Sequence, residues 1–272
     1  MPATWLITGA TSGFGRLIAD RAIRSGAHVI AVGRRADRLA DLARSAPEGY
    51  VTSISMDITG PDAQRRLTEV IESVGGLDVL VNNAGYGLFG SVEQAGDEAV
   101  RAVLETNVLA NLAVVRAALP ALRASRGRIV QLSSLIGQFV FPGSGLYSAS
   151  KAAVELLSEA LAQELAPAGV RVTIIEPGTF ATEFLTTSHV VAPDEIYAPT
   201  VGESLARFST LSPEAIGSPE LVADVIVAVV GMDEPPLRLA VGEDAVAGIR
   251  ASLESRLAEL DKWARIAIAQ DA

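Results

Sequence analysis

Tyr147 and Lys151 stand four residues apart where a helical pattern begins, and Ser134 closes an apolar run upstream of them. Positions i and i+4 share one helix face, so the Lys151 ammonium can sit beside the Tyr147 phenol. A neighbouring cation favours the phenolate, which a free tyrosine reaches only near pH ~10. A phenol tuned this way can give a proton to an alcohol oxygen or take one from it. The chain carries 22 lysines plus arginines, of which only Lys151 and Lys262 are lysines. Arginine is the default cation here, which singles out position 151. The plainer alternative is an ordinary Tyr/Lys pair on a surface helix.

A second cluster lies at the N-terminal end. Thr4 to Thr8 reads as a buried strand, and the turn Gly9 to Gly15 runs from it into the apolar-periodic segment Leu17, Ile18, Ala22, Ile23. In a strand, glycine turn and helix of this kind, Gly9 permits the bend, Gly13 lets backbone approach a pyrophosphate, and Gly15 lets the helix pack on the sheet. Amides of Ser12, Gly13 and Phe14 then meet the phosphates at the helix N-terminus.

Six separated motifs combine the two clusters: Thr8-Gly9-x-x-x-Gly13-x-Gly15, Asn82-Asn83-Ala84-Gly85, Asn107, Ser134, Tyr147-x-x-x-Lys151 and Pro177-Gly178-x-x-x-Thr182. In order and spacing the chain resembles the short-chain dehydrogenase/reductase family, in its compact single-domain branch, over roughly residues 3 to 242. One small departure is Ala110, where the family often has glycine. The resemblance implies that Ser134 hydrogen-bonds the substrate oxygen and that Tyr147 exchanges its proton. Lys151 lowers the tyrosine pKa and holds the nicotinamide ribose, and Asn107 supports a water-mediated proton path through Lys151. Asn83, Ala84 and Gly85 line the cofactor cleft, while Pro177, Gly178 and Thr182 position the nicotinamide end. Asp57 and Ile58 match the family's adenine-binding position, although Asp57 could equally be a strand-end turn residue.

The second predicted strand, His28 to Val32, carries the cofactor preference. It ends in Gly33, Arg34 and Arg35 rather than in the acidic residue that would bind a ribose 2′-hydroxyl. Guanidinium grips phosphate oxygens with paired hydrogen bonds, so NADP(H) is expected over NAD(H), mainly through Arg34. The alternative is that both arginines simply open a solvated helix.

Other predicted strands are Val51 to Met56, Val79 to Asn82, Arg128 to Leu132, Val170 to Ile175 and Leu237 to Val241, alternating with helical patterns. The alternation predicts an α/β fold of the Rossmann type, doubly wound, with a mainly parallel sheet and helices on both faces. Ligands bind beyond the carboxyl ends of such strands, where Gly9, Arg34, Asp57, Asn83, Ser134 and Gly178 all fall. The catalytic domain is expected over residues 1–242, with a substrate lid at about 180–211. Beyond it, 243–272 reads as an amphipathic helical extension packed on the same domain, with Val246, Ile249, Leu253, Leu257 and Leu260 at helical spacing.

Leu135, Phe141, Phe180 and Phe184 flank the expected reaction centre and predict an apolar pocket for a hydrophobic ketone, aldehyde or alcohol. Their alternative is ordinary core packing. His189 is read as a solvated loop residue. Zero cysteines exclude disulfides and thiolate ligands, and two histidines, His28 and His189, leave no convincing metal site. A formal net charge of −10 argues against nucleic acid or an anionic membrane as a partner. No apolar run reaches the ~18 residues of a membrane span, and the N-terminus lacks a signal-peptide pattern; a cytoplasmic protein is expected. Val108 to Leu122 and Ala152 to Leu165 are apolar on more than one face, and relatives associate through the corresponding helices, which implies a homodimer or homotetramer. The reaction expected is NADP(H)-dependent reduction of an apolar carbonyl. The alternatives are an NAD-dependent alcohol dehydrogenase of the same family, a sugar-nucleotide epimerase or dehydratase, and a non-catalytic nicotinamide-nucleotide sensor.

Overall fold

In the computed structural model, which describes residues 2–210 and 216–268, the alternating patterns become βαβ units. The first half runs β1 (Thr4–Thr8), α1 (Gly13–Arg24), β2 (His28–Gly33), α2 (Ala36–Ser45), β3 (Val51–Ser55), α3 (Ala63–Ser73) and β4 (Val79–Asn82). A two-residue strand, β5 (Leu88–Phe89), follows. Next come α4 (Asp97–Leu104), a π-helical turn over Glu105–Ala110, and α5 (Asn111–Ser125). The second half comprises β6 (Arg128–Leu132), α6 (Gly145–Leu165), β7 (Arg171–Pro177), α7 (Phe184–Thr187), β8 (His189–Val190) and α8 (Glu203–Ser209). It closes with α9 (Glu220–Val230), β9 (Arg238–Val241) and α10 (Glu243–Ala267).

Seven strands form one sheet in the order β3-β2-β1-β4-β6-β7-β9, and every pairing is parallel. Register explains why both faces are covered. Leu6, Ile30, Leu80 and Ile129 stand opposite one another on four neighbouring strands. All four point into the core shared with α3 and α5. Their sequence neighbours Ile7, Ala31, Val81 and Val130 point the other way, into the core shared with α1 and α9. A side-chain period of two on strands buried on both faces produces these continuous apolar runs. Removing one such side chain, as in Leu80→Ala, costs roughly 2–5 kcal/mol because a cavity remains.

Strand order reverses between β1 and β4, which opens a crevice at the carboxyl ends of those strands. The seven predicted strands all lie in this sheet. The short pair β5–β8, parallel through Leu88↔His189 and Phe89↔Val190, has no counterpart in the sequence pattern.

Helix composition and packing bear on two of these expectations. One helical stretch, Asp97–Ser125, is long and apolar enough to cross a membrane by length and composition, with a mean hydropathy of 1.4 over its most apolar window. In this fold α5 instead packs on α3 and β4. The C-terminal helix packs on the domain through its first half, where Ala245 is buried and both the Ser252 hydroxyl and Arg256 Nη2 donate to Gln138 O, at 3.1 and 2.6 Å. Leu253, Leu257, Leu260 and Trp263 are exposed. Residues 269–272 of the expected extension, and Leu211 at the end of the expected lid, lie outside the described residues.

Candidate active site

The β1–α1 turn and the β4 end lock together through one hydroxyl. Thr8 Oγ1 accepts the amides of Asn83 at 2.9 Å and Ala84 at 3.0 Å, while Asn83 Nδ2 donates to Thr8 O at 2.8 Å. Gly9 has φ +69°, and a Cβ there would stand 2.7 Å from Asn83 Nδ2, so only glycine fits the bend. A Cβ at Gly15 would lie 2.3 Å from Gly9 O. No side chain caps the first turn of α1, which leaves its N-terminus facing the crevice as an anion site.

That crevice is a cavity of about 790 Å³. Gly9, Ser12, Gly13 and Phe14 line one end, with Arg34, Arg35, Asp57 and Ile58 beside them. Asn83, Ala84 and Gly85 line its middle, and Ser134, Tyr147, Lys151, Pro177, Gly178 and Thr182 its far end. Among the expected site residues, Gly15 and Asn107 stand behind the wall. The cradle of glycines, helix N-terminus and basic edge fits a dinucleotide in size and chemistry.

The two arginines do not play equal parts. Arg34 is 80% exposed in its side chain and stands 3.9 Å from Asp57 Oδ2. Arg35 turns inward, donating through Nη2 to Ser12 Oγ at 2.5 Å and Thr11 Oγ1 at 3.0 Å. Both arginines line the cavity, Arg35 turned toward the glycine turn and Arg34 toward solvent beside Asp57. Asp57 Oδ1 accepts from the Thr59 amide and hydroxyl at 3.0 and 2.8 Å, the strand-end turn role weighed for it.

At the reaction end, α6 carries Tyr147 and Lys151 on its buried face. Lys151 Nζ lies 5.7 Å from the Tyr147 ring centre and donates to Leu132 O at 2.7 Å. Burial lowers the Lys151 pKa to about 8, and the Glu155 charge partly restores it. Burial likewise raises the phenol of Tyr147 well above its ordinary value, against a smaller opposing effect of its hydrogen bond with Ser134. Desolvation of the phenolate is the largest influence on the phenol, ahead of Ser134.

Asn107 sits in the π-helical turn and is fully buried. Its Oδ1 accepts from Tyr86 N at 3.0 Å, and its Nδ2 donates to Tyr86 O at 2.9 Å and Ser150 Oγ at 3.0 Å. These bonds use its side chain to fix the backbone beside Gly85, in place of a direct contact with Lys151. Asn111, unremarked in the sequence, continues the brace through Nδ2 to Asn107 O at 2.7 Å.

An aromatic wall covers Tyr147. Phe184 lies 5.3 Å from its ring centre and Phe89 5.6 Å, while Phe208 bridges Phe89 at 6.2 Å and Phe141 at 6.0 Å. Leu135 packs against this group. Phe180 does not belong to it; buried against Phe14 at 5.7 Å, it walls the glycine-turn end. Phe89 and Phe208 escaped the sequence reading because no motif flanks them. The pairing of β5 with β8 brings Phe89 in, and α8 brings Phe208. His189 is exposed on β8.

Behind Lys151 lies an acidic cluster that sequence alone did not mark. Glu155 and Glu176 are both buried, with Gln138 Nε2 donating to Glu176 Oε1 at 2.8 Å and Arg238 pairing Glu155 at 3.1 Å and Glu159 at 2.7 Å. Burial, followed by the charge of Glu155, raises Glu176 to about 7. Asp244 from α10 accepts the Thr179 amide at 2.7 Å, which ties the Pro177–Gly178 turn to the C-terminal helix. Among the described residues no group of acidic or histidine side chains could hold a metal ion.

Comparison with known proteins agrees with this geometry. The short chain dehydrogenase family model matches residues 3–190. The oxidoreductase BOA17 of Botryotinia fuckeliana is 35% identical, covering 99% of both chains. A 3-ketodihydrosphingosine reductase of Bacteroides thetaiotaomicron is 36% identical over 89% of this chain and 88% of its own. The crystal structure of a short-chain dehydrogenase from Streptomyces avermitilis superimposes with a TM-score of 0.89 at 37% identity, covering 99% of this chain and 98% of that one. Other solved structures of the fold hold NADP in some cases and NAD in another.

Proposed function

We propose that this chain, which belongs to the short-chain dehydrogenase/reductase family, reduces apolar ketones or aldehydes to alcohols with NADPH. It is an oxidoreductase acting on CH–OH groups. The observation that carries the substrate class is the phenol of Tyr147 buried beneath an aromatic wall, and that burial favours its proton-loaded form. A proton-loaded acid in a dry pocket suits a carbonyl about to become an alkoxide.

Bound NADPH supplies the hydride. Tyr147 gives its proton to the carbonyl oxygen, and Ser134 steadies that oxygen by hydrogen bonding. The Lys151 ammonium offsets the phenolate charge left behind and reaches the nicotinamide ribose. Asn107 acts through the Tyr86 backbone and Ser150 to hold the floor of the site. Gly9, Ser12, Gly13 and Phe14 would receive the pyrophosphate with Gly15 packing behind them, Asp57 and Ile58 the adenine, and Arg35 with Arg34 the 2′-phosphate. Asn83, Ala84 and Gly85 flank the cofactor, and Pro177, Gly178 and Thr182 seat its nicotinamide end. Leu135, Phe141, Phe89, Phe184 and Phe208 take the apolar substrate. The exposed Leu109, Leu156 and Leu157 on α5-side and α6 surfaces suit a homodimer or homotetramer.

The test is a set of initial rates with NADPH and with NADH on ketones of increasing apolar size and on one charged 2-keto acid. The expected result is faster turnover with NADPH and rates that rise with apolar size. Turnover confined to the charged substrate, or a preference for NADH, would refute the assignment.

A further inference from the structure

Glu183 belongs to the segment between β7 and α7, yet its carboxylate reaches across the crevice to the start of α2. Its Oε2 lies 3.1 Å from Arg35 Nη1 and its Oε1 2.6 Å from Arg38 Nη1. Both arginines, Arg38 foremost, lower the pKa of the carboxylate from its ordinary value. Arg35 spends its remaining donors on Thr11 and Ser12 in the glycine turn. Four of the five guanidinium N–H groups of Arg35 therefore already have an acceptor. A carboxylate sits where a phosphate would be gripped.

We propose that Glu183 is the protein's own competitor for the 2′-phosphate of the cofactor. The inference rests on reading Arg35 as the 2′-phosphate residue. A phosphate dianion arriving at Arg35 meets the negative charge of Glu183 at contact distance, inside the ~8 Å over which charges interact at physiological salt. Phosphate and carboxylate compete for the same planar donor set. A nucleotide without the 2′-phosphate leaves the Glu183–Arg35 pair in place. Glu183 thereby sets how strongly the site distinguishes the two nicotinamide cofactors, and it opposes the preference that the arginines create.

The position also gives the exchange a route to the reaction centre. Thr182, on one side of Glu183, lines the cavity, and Phe184, on the other, packs 5.3 Å from the Tyr147 ring. Glu183 thus ties the segment that places both to the start of α2.

The probes are 2′,5′-ADP and 5′-AMP, which differ in the 2′-phosphate and carry no nicotinamide, with dissociation constants measured by calorimetry on the wild-type protein and on Glu183→Gln. Glu183 is 44% exposed in its side chain, so the substitution leaves the core intact. Removing the competing charge is expected to tighten 2′,5′-ADP roughly tenfold, the scale of one charge-assisted contact. Binding of 5′-AMP stays unchanged, and the gain shrinks as salt is raised. Unchanged 2′,5′-ADP affinity would make Glu183 a surface ion pair without consequence and overturn the inference. Weaker 2′,5′-ADP binding would overturn it too, by showing that the carboxylate orients the arginines. If wild type binds both probes equally and Glu183→Gln favours 2′,5′-ADP, the competitor stands and the NADPH preference falls.

Discussion

At the scale of single residues the site is governed by burial as much as by charge. Tyr147 and Lys151 are 6% and 4% exposed, and desolvation moves the phenol up and the ammonium down, each toward its neutral form. The same cost falls on Glu176. Its folded pKa of about 7 lies above the ordinary 4.5, so between those values the folded protein keeps a proton that the unfolded chain has lost. Stability from this group is present in acid and is lost as pH rises through about 7. Glu176→Gln, neutral throughout, is expected to exceed wild type in unfolding free energy by on the order of 1–2 kcal/mol near pH ~8. That margin should close toward the acid side of the window. Denaturant unfolding across the range checks it, and a margin independent of pH would show that Glu176 is not strained by its burial. The motif residues were legible at this scale because their chemistry is local: a glycine turn, a Tyr/Lys spacing, a Pro-Gly turn. Arg35 over Arg34 was not, since which of two adjacent side chains turns inward depends on Thr11, Ser12 and Glu183.

At the scale of elements, seven strands could be read to within about two residues because doubly buried strands announce themselves as apolar runs between turn residues. β5 and β8 have two residues each, too short for any period. Their pairing changes the picture of the expected lid over 180–211. The amides of His189 and Val191 donate to Gly87 O and Phe89 O, both at 2.8 Å, and the Tyr197 hydroxyl donates to Glu93. The middle of the segment is anchored to the body, and its two ends, α7 and α8, carry Phe184 and Phe208. Opening of this segment is therefore expected at those ends. Hydrogen exchange is expected to show α7 and α8 gaining protection when NADPH and an unreactive ketone analogue bind, with the amides of His189 and Val191 protected in both states. Equal protection of α8 with and without ligands would make the aromatic wall fixed.

At the scale of the whole molecule, the parallel sheet is what turns scattered residues into a site. Gly9 follows β1, Arg35 follows β2, Asn83 follows β4, Ser134 follows β6 and Gly178 follows β7, and parallel strands bring all five ends to one edge. The spacing of the motifs could not show which face Phe208 or Glu183 would reach, because those contacts close loops across the crevice. The central claim is that this edge positions Tyr147 to protonate a carbonyl as hydride arrives. Single-turnover reduction of an apolar ketone by enzyme preloaded with NADPH tests it most directly, comparing wild type with Tyr147→Phe. The phenyl ring keeps the packing against Phe89 and Phe184 and removes only the acid. The account expects unchanged NADPH affinity and a hydride-transfer step slowed roughly 10²- to 10⁴-fold. A Tyr147→Phe protein that binds NADPH and transfers hydride at the wild-type rate would contradict it.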